Sequence, residues 1–286
     1  MEAPPPVPPS AKDALTRFAD RLAWATEDQP AGEGVAIVVA HPDDETIALG
    51  GQLRRLRNGT VIHVTDGAPR NGRDAAANGF STALQYATAR RRELEAAMAE
   101  VGIGREQLVA LGIPDGQAVE RLSAIAIRLA DLFASKAITL VLTHALEGGH
   151  PDHDATAVAV WAACRRQQRR GGSAPEVLDM PFYHLGPTGT VFTQFLPDPS
   201  RPVLALPLDP EEQDRKRRML EKFRTQRETL AQFTGMTERF RLAAPPDLGA
   251  LPNNGLLQYE TWGLATGTEW LEAARKGLGD LGVEVS

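Results

Sequence analysis

Two short segments of the sequence concentrate the side chains that could carry out hydrolytic chemistry. They are AHPDDE, residues 40–45, and HPDHDA, residues 150–155, and each contains the tripeptide His-Pro-Asp. Together they supply three imidazoles and five carboxylates, and the candidate site residues among them are His41, Asp43, Asp44, His150, Asp152 and His153. Groups of this kind are costly to bury unless they are paired with each other or bind a metal ion.

A catalytic zinc site fits these residue types. Two histidines and one carboxylate are a usual protein complement of such a site, which leaves one position open for water. His41 and Asp44 are three residues apart across a turn, and His150 and His153 have the same spacing. The alternative is that Asp43 or Asp44 only caps the following helix, and that His150 caps another. Capping does not require histidine, and two such loops would have to coincide, so the metal site is favoured.

The two motifs resemble the double signature of the PIG-L/LmbE-like zinc-dependent N-deacetylases. A looser likeness extends over about residues 34–240, through TDGAP, RRRELEAAMAEVG, LGIPDG and KRRMLEKFRTQ. Position by position, the resemblance implies that His41, Asp44 and His153 are the zinc ligands, with one Zn²⁺ per chain. Another divalent metal is compatible with the same ligands.

The resemblance also implies roles for the remaining three side chains. Asp43 would be the general base, and His150 would stabilise or protonate the reacting centre. Asp152 would sit behind His150 and hold it charged or oriented, because a neighbouring carboxylate favours the charged form of histidine. Bound zinc lowers the pKa of water to about 7, so a carboxylate can accept its proton near neutral pH. Whether His150 or protonated Asp43 gives the proton to the leaving amine stays open at this point.

Alternating strand and helix patterns predict the elements that position these loops. Strands are predicted over residues 34–40, 60–65, 108–111 and 137–144. Helices are predicted over residues 11–26, 45–58, 87–102, 118–135 and about 154–168. This order predicts an α/β fold of Rossmann-like type, with a mostly parallel twisted sheet and helices on both faces. Ligands bind at the carboxyl ends of such strands, where both motifs lie.

The pattern changes beyond Gly171. Short strands are predicted over residues 176–182, 190–195 and 203–206. A long charged helix is predicted from Pro210 to about Phe233, because an aspartate and a proline mark its start. The last fifty residues are rich in loops and predict no clear element.

We expect two parts along the chain. Residues 1–10 are predicted to be a disordered, proline-rich tail, and residues 11–286 a single deacetylase domain. Within that domain, about residues 34–170 are predicted to form the Rossmann-like catalytic core. About residues 171–286 are predicted to form a smaller, loop-rich part that completes the substrate pocket.

Other side chains could contact a substrate. Asp66 and Arg70, in the loop after the second strand, and Asp115, in GIPDG, could bind sugar hydroxyls or a phosphate. His144 ends the fourth strand, where it could touch substrate or lie behind the site. His184, in FYHLGPTG, could line the pocket from the second half of the chain. The alternative for Asp66, Arg70 and Asp115 is that these loop side chains are only solvated by water and contact no substrate.

Three further features are predicted to be structural. At least two of the arginines in residues 90–92 are predicted to lie on a solvated helix face. His63, between Ile62 and Val64, is predicted to be a structural residue of its strand. Glu45 is predicted either to stabilise the helix start or to orient a neighbouring ligand.

The overall composition excludes several classes of protein. The 286 residues contain 37 Asp+Glu against 31 Lys+Arg, a net charge of −6, which argues against nucleic-acid binding. Cys164 is the only cysteine, so an intramolecular disulfide and a thiolate-rich zinc site are excluded. The N-terminus lacks the basic and apolar regions of a signal peptide, and no apolar stretch approaches the roughly 18 residues of a membrane span. We expect a cytoplasmic protein.

These observations lead to one predicted function and two alternatives. The prediction is a zinc-dependent hydrolase that removes an N-acetyl or other N-acyl group from an amino sugar or small glycoconjugate. A zinc amidase that acts on a larger conjugate or an acylated natural product is the first alternative. A non-catalytic carbohydrate-binding protein on the same fold is the second. The expected partner is a small N-acylated molecule, and a homo-oligomer is compatible with the sequence. A dinucleotide-binding protein is disfavoured because no G-x-G-x-x-G follows the first strand.

Overall fold

The computed structural model of the protein describes residues 10–283. The tail predicted over residues 1–10 therefore lies, apart from Ser10, outside the described residues. The strands are β1 Val35–Val39, β2 Thr60–Thr65, β3 Leu108–Ile113, β4 Leu140–His144, β5 Glu176–Met180, β6 Tyr183–Gly186, β7 Gly189–Phe192, β8 Leu204–Pro207 and β9 Thr237–Leu242. The α-helices are α1 Ala11–Trp24, α2 Asp44–Leu49, α3 Arg73–Ala77, α4 Ala83–Ala99, α5 Leu122–Ser135, α6 Pro151–Arg169, α7 Pro210–Leu220, α8 Arg227–Leu230, α9 Gln258–Thr261 and α10 Gly267–Asp280.

Seven of these strands form one mixed sheet in the order β3-β2-β1-β4-β5-β9-β8. Strands β1 to β5 run parallel to one another, whereas β9 is antiparallel to β5 and β8 is antiparallel to β9. The remaining strands, β6 and β7, pair as a separate hairpin. The predicted α/β fold with a mostly parallel sheet is confirmed.

The sequence of β1, VAIVV, explains why helices cover both faces of the sheet. All five residues are buried, and successive side chains point to opposite faces. Val35, Ile37 and Val39 pack into the core shared with α1, α2, α4 and α7. Ala36 and Val38 pack into the core shared with α5, α6 and α10. A strand that is apolar on both faces needs such a cover on each side.

The prediction of one long helix from Pro210 to Phe233 is wrong. Helix α7 ends at Leu220, and only the short helix α8 follows. Between them, the backbone N–H and the hydroxyl of Thr225 both bind the carboxylate of Glu93 on α4, at 3.1 and 2.6 Å. That contact removes Thr225 from the regular hydrogen-bond pattern of a helix, and it ties this segment to the core.

The C-terminal fifty residues contain an element that the sequence did not predict. Strand β9 inserts between β5 and β8, so the strand predicted over residues 203–206 joins the main sheet through it. The segment Thr237–Leu242, TERFRL, is mostly polar and gives no clear strand pattern, and Phe240 is fully buried in it. Among residues 10–283, no helix is long and apolar enough to cross a bilayer.

Candidate active site

The two His-Pro-Asp loops meet because their strands are neighbours. Strand β1 leads into His41, strand β4 leads towards His150, and β1 pairs with β4 in parallel. Both loops therefore leave the same edge of the sheet, at the carboxyl ends of the strands. The loop after β3 reaches the same place, because Asp115 Oδ1 lies 3.5 Å from His41 Nε2.

Three side chains converge in a geometry suited to a metal ion. His41 Nδ1 lies 3.2 Å from His153 Nε2. Asp44 places one carboxylate oxygen 3.3 Å from His41 Nδ1 and the other 3.3 Å from His153 Nε2. Tetrahedral ligands at about 2.0–2.1 Å from a zinc ion lie about 3.3–3.4 Å from each other. The donor set therefore fits such an ion, and a cation would also relieve the close approach of two imidazole nitrogens.

Asp152 orients one of these three groups. Its Oδ2 lies 3.3 Å from His41 Nε2, and its carboxylate accepts the N–H groups of Gly116 and Ala118 at 2.6 and 3.0 Å. With its proton on Nε2, His41 turns the lone pair of Nδ1 towards the convergent cluster. The sequence predicts that Asp152 holds His150 charged or oriented. In the structure its carboxylate faces His41, and Asp152 contacts His150 through its backbone N–H at 3.1 Å.

His150 caps helix α6 and lies beside the cluster. Its Nδ1 accepts the backbone N–H of Asp152 at 3.1 Å, so a neutral ring carries its proton on Nε2. Burial, together with repulsion from His41, lowers the pKa of His150 well below its usual value. The charged state predicted for this histidine is therefore disfavoured. His150 therefore caps the helix, and a ligand atom of its ring also lies within 4.8 Å of those of His41 and His153; its role in the reaction stays a prediction.

Asp43 is held in a strained conformation next to the cluster. Its φ of 140° and ψ of −26° lie in a region that residues with a side chain rarely adopt. Its Oδ2 accepts a hydrogen bond from Arg90 Nη2 at 2.7 Å. Burial raises the pKa of Asp43 to about 8, and the Arg90 guanidinium offsets part of that effect. Backbone strain of this kind is common at functional sites.

Arg90 is the arginine of its helix that serves the site. It is 4% exposed, and besides Asp43 it donates to the carbonyls of Pro42 at 2.8 Å and Gly67 at 2.6 Å. Arg91 is half-buried and Arg92 is exposed. The pattern of three arginines could not identify which one faces inward. The guanidinium fastens the loop after β2 to the loop after β1.

Glu45 and His63 form a buried pair behind Asp43. His63 Nε2 lies 2.9 Å from Glu45 Oε2, and the same oxygen accepts the backbone N–H of Asp43 at 3.2 Å. Glu45 thus helps to hold the unusual backbone of Asp43 and does not orient His41. The structural role predicted for His63 agrees with this contact.

The predicted substrate contacts divide into three cases. His144 is fully buried, its Nε2 accepts the N–H of Ala40 at 2.8 Å, and its ring stacks on His153 at 4.0 Å. Of the two positions predicted for His144, this burial favours the one behind the site over a substrate contact. Asp66 and Arg70 pair with each other at the surface of the loop after β2, and their substrate contact stays a prediction. Asp115 lies against His41, inside the site.

Tyr183 is a residue of the site that the sequence did not indicate. Its ring centroid lies 5.4 Å from that of His153. The sequence pointed instead to the next residue, His184, whose side chain leaves β6 on the opposite face because side chains alternate along a strand. Nothing in the sequence FYHLG distinguishes an aromatic side chain that lines the pocket from one that packs in the core.

A glycine is required at position 149 because strand β6 lies too close to it for a side chain. A Cβ at Gly149 would lie 2.1 Å from the backbone oxygen of Tyr183. We expect Gly149→Ala to lower the free energy of unfolding by about 1–3 kcal/mol, because backbone must move to make room. Gly172→Ala is the matched control, since its Cβ would meet only the Gln167 oxygen at 3.4 Å. Urea unfolding of both variants measures the difference, and equal midpoints would contradict the expectation.

Comparisons with known proteins bear on the same region. Residues 36–164 match the family PIG-L, described as GlcNAc-PI de-N-acetylase. No curated protein sequence matches this chain significantly. The deacetylase Dbv21, which acts on the A40926 pseudoaglycone, has 22% identity and a TM-score of 0.55 over 74% of this chain and 99% of its own.

Two further solved structures have the same fold. The N,N'-diacetylchitobiose deacetylase of Pyrococcus horikoshii has 18% identity and a TM-score of 0.53, over 82% of this chain and 93% of its own. The 4-carboxy-2-hydroxymuconate hydratase GalB of Pseudomonas putida has 19% identity and a TM-score of 0.51, over 73% of this chain and 94% of its own. Both motifs lie inside residues 36–164, the part of the chain that is similar to the PIG-L family.

Proposed function

We propose that this protein is a zinc-dependent hydrolase that removes an N-acetyl or other N-acyl group from an amino sugar or small glycoconjugate. The observation that carries the proposal is the convergence of His41 Nδ1, Asp44 and His153 Nε2 at 3.2–3.3 Å. A buried carboxylate, Asp43, lies next to these ligands without sharing their contacts. Both Dbv21 and the chitobiose enzyme are named as deacetylases, which supports the choice of reaction.

His41, Asp44 and His153 would hold the metal. Two imidazole nitrogens and a carboxylate favour zinc over the oxygen-preferring ions magnesium and calcium. A zinc ion bound there would supply a Lewis acid for the amide carbonyl and would lower the pKa of water.

Asp43 would transfer the protons of the reaction, and His150 would donate a hydrogen bond. The carboxylate of Asp43 accepts a proton from the attacking water, and its strained backbone and Arg90 fix the direction in which it points. The Nε2–H of His150 donates a hydrogen bond to the carbonyl oxygen as negative charge develops there. Because neutral His150 uses Nδ1 to cap α6, its only proton is the one that makes this bond. Protonated Asp43 is therefore the better donor to the leaving amine.

The fold alone does not choose this reaction, since GalB is a hydratase on the same fold. A screen for amine release tests the proposal directly. Zinc-loaded protein is expected to release equimolar amine and carboxylate from at least one member of a panel of N-acylated amino sugars and glycoconjugates. A chelator is expected to abolish the release, and added zinc to restore it. Binding of these compounds without amine release would instead support a carbohydrate-binding protein.

A further inference from the structure

The chain has three tyrosines, and the surroundings of their hydroxyl groups differ. The Tyr86 hydroxyl accepts a hydrogen bond from the Gln226 amide at 2.6 Å. The Tyr259 hydroxyl is enclosed in the core and has no hydrogen-bond partner among residues 10–283. The Tyr183 hydroxyl also has no partner within that range, but Tyr183 is only partly buried and lies in the candidate active site. A bound molecule can therefore supply the missing partner.

The ring of Tyr183 packs against the segment that carries His150. Its Cδ2 lies 3.2 Å from the position that a Cβ at Gly149 would occupy, and its ring centroid lies 5.4 Å from that of His153. His150 lies between these two contact points in the chain. The β6–β7 hairpin holds the ring there, because Tyr183 pairs with Phe192. The phenol is therefore fixed beside His150 before any substrate binds, as a preorganised donor must be.

The carboxylates of the site act on the Tyr183 hydroxyl. Burial raises the pKa of Tyr183 well above its usual value, and the charges of Asp44, Asp43 and Asp115 raise it further. Because the interaction between charges weakens with distance, the hydroxyl lies near these carboxylates. A carboxylate can only accept a hydrogen bond when it is ionised, whereas a tyrosine hydroxyl can donate one. Tyr183 thus places a donor next to a group of acceptors.

The proposed reaction needs donors at the carbonyl oxygen of the substrate amide. As water adds to the carbonyl carbon, the electron pair of the C=O bond moves to the oxygen, where negative charge develops. Ionised Asp44 and Asp115 cannot bind this oxygen, because they offer no proton. Arg90 already donates to Asp43 and to two backbone carbonyls. The Nε2–H of His150 supplies one donor, and a second one would stabilise the same charge.

We infer that the Tyr183 hydroxyl donates this second hydrogen bond to the carbonyl oxygen and stabilises the charge that develops on it. Tyr183 keeps its proton throughout, while the proton of the leaving amine comes from Asp43. The inference rests on the proposed function and adds a catalytic residue to it. A hydrogen bond from Tyr183 to a sugar hydroxyl would instead be equally strong in the bound substrate and in the transition state, which separates the two roles experimentally.

Tyr183→Phe removes the hydroxyl and keeps the ring. With zinc-loaded protein and the compound that wild type hydrolyses fastest in the amine-release screen, kcat is expected to fall by about 10²–10³-fold. KM is expected to change by less than about threefold, because the bond acts mainly in the transition state. Tyr259→Phe is the matched control, since it removes a hydroxyl that lies in the core, and its kcat is expected to equal that of wild type.

Binding of a transition-state analogue gives a second readout that does not depend on turnover. The probe is the phosphonamidate of the same amine, in which a tetrahedral phosphorus replaces the acyl carbon. Calorimetry is expected to show that Tyr183→Phe raises the Kd of this probe by about 10²-fold, whereas the Kd of the free amine product changes by less than about threefold. Zinc content and the urea unfolding midpoint of Tyr183→Phe are expected to match those of wild type.

The outcomes separate this inference from the proposed function. Amine release by wild type with an unchanged kcat in Tyr183→Phe would overturn the role of Tyr183 and leave the deacetylase. A loss confined to KM, with equal weakening of probe and product, would assign Tyr183 to substrate binding and overturn its role at the carbonyl oxygen. Loss of zinc or a lower unfolding midpoint in Tyr183→Phe would assign the effect to the structure of the site and overturn the inference as well. No amine release by wild type from any compound would overturn both.

Discussion

Asp44→Asn is expected to lose the bound metal, whereas the neighbouring Asp43→Asn is expected to keep it and lose most of the turnover. Asp44 places both carboxylate oxygens 3.3 Å from the nitrogens of His41 and His153, so it completes the donor set. Asp43 points instead to Arg90. Loss of a general base typically lowers the rate by about 10²–10⁴-fold.

Metal analysis after purification without chelator, combined with an amine-release assay, tests this pair. Wild type and Asp43→Asn are expected to contain about one zinc per chain, and Asp44→Asn far less. Asp131→Asn serves as control, because this carboxylate is exposed and pairs only with Arg170 in the described structure. Full activity of Asp43→Asn, or a full equivalent of zinc in Asp44→Asn, would contradict the assigned roles.

Arg90→Met is expected to destabilise the protein strongly. The substitution leaves the buried carboxylate of Asp43 without its cation, and it leaves the carbonyls of Pro42 and Gly67 without their donor. Removing one partner of a buried ion pair costs about 3–5 kcal/mol. Because Arg90 also directs Asp43, amine release is expected to fall together with the free energy of unfolding.

The matched control lies on the same helix. Arg92 is exposed, so Arg92→Met is expected to change the free energy of unfolding by less than about 0.5 kcal/mol. Urea unfolding compares the two variants. A double variant, Arg90→Met with Asp43→Asn, is expected to lose less stability than the two single losses added, because the buried charge is gone. Equal unfolding midpoints for Arg90→Met and Arg92→Met would contradict the role of the guanidinium.

Local patterns in the sequence were sufficient to predict the sheet and to predict that the two motifs lie close together. The run VAIVV indicates a strand that is buried on both faces, and parallel strands end at one edge. His41 and His153 could therefore be expected together although 112 residues separate them. The boundaries of α7 and the existence of β9 could not be expected, because both depend on partners elsewhere in the chain, Glu93 for the first and β5 for the second.

By itself, the sequence determined which types of side chain gather at the carboxyl end of the sheet, because residue identity and strand order follow from local composition and periodicity. Only the tertiary structure decided how each of them is used. Asp152 faces His41 and not His150, Arg90 faces inward while Arg92 does not, and Tyr183 stands beside His153. Each of these contacts joins segments distant in sequence, and its direction is set by the packing of whole helices and strands against each other.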